Sequence, residues 1–322
     1  MQNKTKSPLL LILFSAALYG ISIPISKAFV AEINPIILAG LLYLGAFIGL
    51  QVLGFFRKTP ANENRLEKAD LKWLAGAVVV GGILGPVSLL FGLARLSGFS
   101  TSILLNLEGL ATALFAIFIF KEYSGKRFWF ALLCMTLAGI LVSWDSAQGS
   151  FDITGLFLVM FAMACWGLDN NFTRKISNKG AVDIAKIKGL FAGTFNLAIG
   201  IGLGLLPQIN SSLFFAVLMG ALSYGLSLVL FIKTLEIWGA ARTGAFFSAA
   251  PFIGAVLSII FLNEALKWNM LPAVALMVIG VWLIAKEKHS HLHFHGPLSH
   301  VHEHYHNSEH RHEHARRRNK SQ

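Results

Sequence analysis

Charge is what this sequence has least of. Only 13% of its residues are Asp, Glu, Lys or Arg, against roughly 25% in an ordinary soluble domain. That leaves too few charges to cover a water-facing surface, and it excludes a large soluble enzyme. Histidine is missing from the body of the chain, because all 11 lie between His289 and His314. Cysteine is limited to Cys134 and Cys165, both inside apolar runs. Two such residues form no disulfide framework and no cysteine metal site, and each reads as a small buried hydrophobe. No GxxxxGK[ST] phosphate loop occurs, so ATP-driven pumping has no motif to rest on. With neither paired carboxylates nor a His base in the apolar part, an enzyme lacks the groups it would work with.

What is abundant is apolar sequence. The chain is 55% hydrophobic with a mean hydropathy of +0.64, and its apolar residues come in long runs. About 20 such residues at 1.5 Å each cross a bilayer core. The runs predict ten transmembrane helices near 8–30, 35–55, 73–93, 99–120, 127–143, 153–173, 187–206, 212–232, 241–262 and 269–285. Lys4 and Lys6 before the first run resemble a signal peptide, but that run continues from Pro8 to Val30, long enough to span. The connections are short and leave no room for a folded extramembrane domain.

Basic residues set the expected orientation. With the N-terminus inside, 24 of the 27 Lys and Arg fall on the cytoplasmic side, including Arg174, Lys186 and Lys188. Lys27, Arg95 and Lys267 are left on the other side. The positive-inside rule then places both termini in the cytoplasm of a cell (inner) membrane protein. The net charge of +11 needs no nucleic acid, because basic loops serve topology and anionic lipid.

The two halves repeat. Ala17-Leu18-Tyr19-Gly20 with Ser26-Lys27 matches Ala164-Cys165-Trp166-Gly167 with Thr173-Arg174 at an offset of 147. Phe118 to Glu122 matches Ile260 to Glu264 at an offset of 142. Five helices per half is an odd number, so the second half enters from the opposite side. Inverted repeats of this kind build transporters around a central site. The expected organisation is an all-α integral membrane protein of ten helices in two inverted five-helix repeats, 8–146 and 152–287. A disordered His-rich tail, 288–322, follows.

At these residues the chain resembles the drug/metabolite transporter superfamily, in its EamA-type branch of ten-helix permeases. The duplicated unit, the small-aromatic-Gly pattern and the two helix-turn Glu carry the resemblance over about residues 8 to 287. Pro251 stands thirteen residues before Glu264, as in the family's Pro…Glu pattern, whereas the first half has Gly109 at the matching place. The resemblance implies a secondary transporter that uses no ATP, often an exporter of amino acids, other metabolites or toxic compounds.

Glu108 and Asp169 are the acidic residues well inside predicted helices. A carboxylate at that depth costs at least about 2.5 kcal/mol unless it faces a polar cavity or a partner. Glu108 is expected to line a central cavity and to bind a cationic group or carry a proton. Asp169 is expected either beside it or paired with Arg174. Asn106, Asn170, Tyr19, Trp166 and Ser248 complete the expected substrate site, with Ser22, Ser26, Asn196, Ser223, Tyr224 and Arg242 as further candidates. Glu122 and Glu264 read as structural groups at the start of the following helices. The Gly81-Gly82 pair and the Gly200, Gly202, Gly204 run read as close helix packing.

The tail alternates His with other residues. His289, His291, His293 and His295 form one series, and His300, His302, His304 and His306 another. Neutral imidazoles in such a tract bind zinc, nickel or cobalt. No cofactor is required by the membrane domain. A small-molecule substrate and the lipid bilayer are the expected partners, with a homodimer left open. The function expected is a secondary exporter of a small organic metabolite, working by alternating access around a midplane cavity. The alternative is a divalent transition-metal exporter fed by the tail.

Overall fold

A computed structural model describes residues 8–55, 66–120, 125–145, 150–286, 290–295 and 298–303. Among the described residues the chain forms ten helical rods. They are α1 (Pro8–Phe29), α2 (Pro35–Phe55), α3 (Lys68–Arg95), α4 (Gly98–Leu104 and Leu107–Phe120) and α5 (Lys126–Ser143) in the first half. The second half holds α6 (Ile153–Ile176), α7 (Ala181–Gly202), α8 (Ser211–Trp238), α9 (239–247 and Ala249–Leu262) and α10 (Met270–Ala285). Seven helices among the described residues are long and apolar enough to cross a membrane, with shorter apolar ones at Ala249–Leu262 and Met270–Leu283. Large apolar side chains such as Leu10, Phe14, Phe130 and Phe215 point outward and are more than half exposed. That surface suits hydrocarbon, not water.

Helical hydrogen bonding runs without interruption from Ser227 to Phe247. Yet the rings of Phe231 and Phe247 lie 4.9 Å apart. Sixteen residues of straight helix would separate them by about 24 Å. The chain therefore reverses within this stretch, and α8 and α9 are separate rods.

Packing follows a two-fold pattern. Rods α2 and α7 pack on each other, as do α5 and α10. The contact of α3 with α6 is matched by α8 with α1, and that of α4 with α6 by α9 with α1. The offset of 142 recurs in the backbone. One π-helical turn covers Val78–Leu84 and the other Gly220–Leu226. Rod α4 breaks at Asn106 and α9 at Ser248. Rod α1 breaks at Ile21, three residues before Pro24, whose ring displaces the carbonyl one turn back and donates no N–H. The aligned stretch of α6 has Asn171 in place of Pro24 and stays continuous.

Pro86 explains the first π turn. Lacking an N–H, it leaves the carbonyls four and five residues back, those of Gly82 and Gly81, without a main-chain donor. Side chains from three other rods fill the gap. Tyr43 Oη and Trp166 Nε1 donate to Gly81 at 2.7 and 2.9 Å, and Asn196 Nδ2 donates to Gly82 at 3.1 Å.

Three expectations change. Rod α7 starts at Ala181, so Lys188 lies a full two turns inside a helix and is 2% exposed. Glu264 does not serve the helix that follows it. Its oxygens accept from Gly98 and Phe99 N–H, at 2.6 and 2.8 Å, at the start of α4. A Cβ on Gly202 or Gly204 would meet nothing within 4 Å among the described residues, while one on Gly200 would strike Ile37. Glu122 lies outside the described residues, as does the side chain of Arg242.

Short antiparallel pairs join β1 (Trp144–Asp145) to β2 (Ser150–Phe151) and β3 (Ser290–His295) to β4 (Leu298–Glu303). The second pair sets His291 opposite His302 and His293 opposite His300. Little fixed structure is expected of the tail from its sequence, and in these two stretches an antiparallel ribbon stands instead. His289, His304 and His306 lie outside the described residues.

Candidate functional site

A cavity of about 550 Å³, counting the part open to its surroundings, lies between the two halves. Its wall is built by α1, α2, α4, α6, α7, α8 and α9. The lining includes Tyr19, Tyr43, Glu108, Trp166, Asp169, Asn170, Lys188, Ser223, Tyr224, Ser227, Leu228, Phe231 and Phe247.

Its aromatic floor comes from the repeat. Tyr19 and Trp166 align at the offset of 147, and their rings meet edge to face with centroids 6.1 Å apart. Tyr224 adds edge contacts to Tyr19 at 6.1 Å and to Tyr43 at 5.4 Å. The glycine after each aligned aromatic lets its rod approach a neighbour. A Cβ on Gly20 would strike Ala250 and Ile253, and one on Gly167 would strike Ala111 and Thr112. Ala111 and Ile253 are themselves 142 residues apart, so the same contact is made twice.

The charged wall is not repeated. Asp169 aligns with Ser22, and Glu108 with Ala250. Lys188 Nζ donates to both oxygens of Asp169, at 2.7 and 2.6 Å, and Thr173 Oγ1 donates at 3.0 Å. The pair is buried on both sides. Gly81 makes room for it, since a Cβ there would overlap the Asp169 carboxylate. The expected partner of Asp169, Arg174, is replaced by Lys188 because Arg174 lies five residues along an unbroken helix, on a different face.

Glu108 lies in the first turn of the second segment of α4, two residues past the break at Asn106. Asn170 Nδ2 donates to its Oε1 at 2.7 Å and also approaches Thr112 Oγ1 at 3.2 Å. Asn171 donates to the carbonyls of Thr112 and Gly167. Both asparagines thus face protein, as their cost in lipid predicts. Among the described residues Glu108 forms no ion pair. The hydroxyls of Tyr19 and Tyr224 are buried and find no hydrogen-bond partner among the described residues. A buried hydroxyl without a partner is costly, so these two donors suit an acceptor brought in by a ligand.

Five of the expected site residues therefore line the cavity: Glu108, Asp169, Asn170, Tyr19 and Trp166. Asn106 and Ser248 do not. They occupy the two rod breaks instead, and Asn106 Nδ2 donates to Ile103 at 3.2 Å. Of the further candidates, Ser223 and Tyr224 reach the wall, while Ser22 bonds Tyr19 and Asn196 bonds Gly82. Lys188, Tyr43 and Ser227 were missed. A tyrosine in the middle of an apolar run signals Tyr43, whereas Lys188, at the very start of the 187–206 run, looks like a loop charge. No group of three His, Cys, Asp or Glu fit to hold a metal occurs among the described residues.

Outside the rods, Asp152 caps α6 by accepting from Gly155 N–H at 2.7 Å and pairs with Arg95 at 3.1 Å. The Gly155 N–H, with Arg95, holds its carboxyl below the usual range. At the other end Lys179 bonds Glu67 at 2.7 Å, which raises its pKa.

Known proteins resemble this chain over most of its length. A protein of Methanothermobacter thermautotrophicus named as an uncharacterized transporter is 24% identical over 295 residues, covering 85% of this chain and 84% of its own. The uncharacterized transporter YvbV of Bacillus subtilis is 23% identical, covering 87% and 92%. A solved crystal structure shares the fold with a TM-score of 0.65 at 17% identity, covering 87% of this chain and 96% of its own. The EamA-like transporter family matches twice, at residues 6–144 and 153–286. With two family units around a cavity between inverted halves, this chain belongs to the EamA-like transporter family.

Proposed function

We propose that this transporter is a secondary exporter of a small organic metabolite that carries a cationic or hydrogen-bond-donating group at one end and an acceptor at the other. Its two functional units are 8–146 and 152–287. One observation carries the reading: a half-buried carboxylate without a basic partner, Glu108, shares a cavity with two unpartnered donors, Tyr19 Oη and Tyr224 Oη. Glu108 and Asn170 receive the donor end, the two hydroxyls receive the acceptor, and the edges of Tyr43 and Trp166 flank the body. The Asp169–Lys188 pair is already neutral and acts as a fixed wall. Glu108 takes a proton in exchange for the substrate, which couples export to the proton gradient.

Basic residues support an orientation with both termini in the cytoplasm, which makes the end near Lys179 the inner one and the end near Lys27 the outer one. Loss of Lys188 from the loop count leaves that asymmetry large. A divalent metal as cargo draws less support, because Asp169 is committed to Lys188 and Glu108 is left alone. The test is a comparison of metabolite and metal contents in cells with and without the protein, followed by flux in proteoliposomes. Accumulation of an amine- or amide-bearing metabolite on deletion, with flux lost in Glu108→Gln, is the expected result. A change confined to zinc, nickel or cobalt overturns the reading.

A further inference from the structure

We propose that Lys27 and Glu264 form the latch that holds the outer half of the transport path shut. The inference rests on the alternating-access reading above and assigns the residues that set which side is open.

Lys27, at the end of α1, donates to the carbonyls of Leu93 and Leu96 at 2.6 and 2.7 Å and to Ala94 at 3.3 Å. Those carbonyls end α3, where a helix leaves its last acceptors unfilled. Glu264, just after α9, takes the free N–H groups of Gly98 and Phe99 where α4 begins. One cation and one anion thus tie α1 and α9 to the two sides of a single turn. Each tie is broken by moving one rod, and the groups released can all be hydrated at the membrane surface.

Beneath the latch, the first segment of α4 packs against α9 and the end of α1. This interface is tight. A Cβ on Gly254 would lie 2.8 Å from Ser102 Oγ, and one on Gly98 would lie 2.7 Å from Ser258 Oγ. It is also polar without being satisfied, since the buried hydroxyls of Ser26, Thr101 and Ser102 have no hydrogen-bond partner among the described residues. A permanent core has no use for three such groups. A path that fills with water in another state does.

The repeat supplies a control inside the molecule. At the offset of 142, Ser102 corresponds to Gly244 and Gly254 to Thr112. A Cβ on Gly244 would meet nothing within 4 Å among the described residues. The outer interface is closed while its inner counterpart stands apart, on the side where Leu228, Phe231 and Phe247 line the cavity.

The experiment uses the full chain with Cys134 and Cys165 changed to Ala, in oriented membranes. An impermeant maleimide probes Ser102→Cys from outside and Gly244→Cys from inside. With the latch intact, Ser102→Cys stays unlabelled and Gly244→Cys reacts. Glu264→Gln or Lys27→Met is expected to speed labelling of Ser102→Cys at least tenfold and to slow that of Gly244→Cys about threefold. Unchanged labelling of Ser102→Cys in the folded latch variants overturns the proposal. So does faster labelling at both positions, which signals general loosening. The two variants act on different rods, so failure of one to fold leaves the other decisive. Substrate flux is recorded in the same membranes. Its absence in the parent chain counts against the functional reading, while labelling still decides the latch.

Discussion

The ammonium of Lys188 sits between both oxygens of Asp169, at 2.7 and 2.6 Å, in a pocket opened by the missing side chain of Gly81. Breaking a buried pair strands the survivor, at a cost of roughly 3–5 kcal/mol. Lys188→Met or Asp169→Asn alone is therefore expected to lower the melting temperature in detergent sharply. The double variant should recover most of the loss. A double variant as unstable as the sum of the singles would show that the two groups are not coupled.

Gly81→Ala is expected to destabilise by about 1–3 kcal/mol, because the added methyl meets the Asp169 carboxylate. Gly109→Ala, where nothing lies within 4 Å, is the comparison and should be stable within about 0.5 kcal/mol. Thermal melts of the two variants side by side check this.

Tyr19→Phe and Tyr224→Phe remove hydroxyls that have no partner among the described residues. Stability should be unchanged or slightly raised, since an orphaned polar group is lost. Transport should need more substrate, with KM up about tenfold, or ~1.4 kcal/mol, for each hydroxyl that binds it. An unchanged KM in both would remove them from recognition.

Asp152→Asn keeps a capping oxygen but loses the charge that Gly155 N–H and Arg95 favour. A loss of about 0.3–1 kcal/mol is expected at neutral pH, from the negative charge removed at the helix N-terminus. The depressed pKa of Asp152 means that this contribution is present above the ordinary carboxylate range and fades as pH falls through the folded value. Melts of the parent and the variant should therefore converge at acid pH.

A chain ended at Lys288 loses every histidine. Transport is expected to continue, while retention of zinc, nickel or cobalt by the purified protein falls to background. Equilibrium dialysis of both forms measures this, and metal retained by the shortened chain would locate binding elsewhere.

The sequence by itself determined the solvent, the number of rods and the repeat. These follow from composition and spacing, because hydrocarbon accepts only helices whose backbone is satisfied internally. The offsets of 147 and 142 also predicted which residues would be equivalent, and Tyr19 with Trp166 met accordingly. Tertiary structure decided what the sequence could not. Lys188 and Asp169 stand nineteen residues apart on different rods, and no local period links them. Pro86 frees carbonyls simply by lacking an N–H, but only packing supplied Tyr43, Trp166 and Asn196 to fill the vacancy. Glu264 could be placed at a helix end, yet its partners lie 165 and 166 residues away. A buried charge is stable wherever a matching group can reach it, and reach is a property of how rods pack, not of the order in which they are joined.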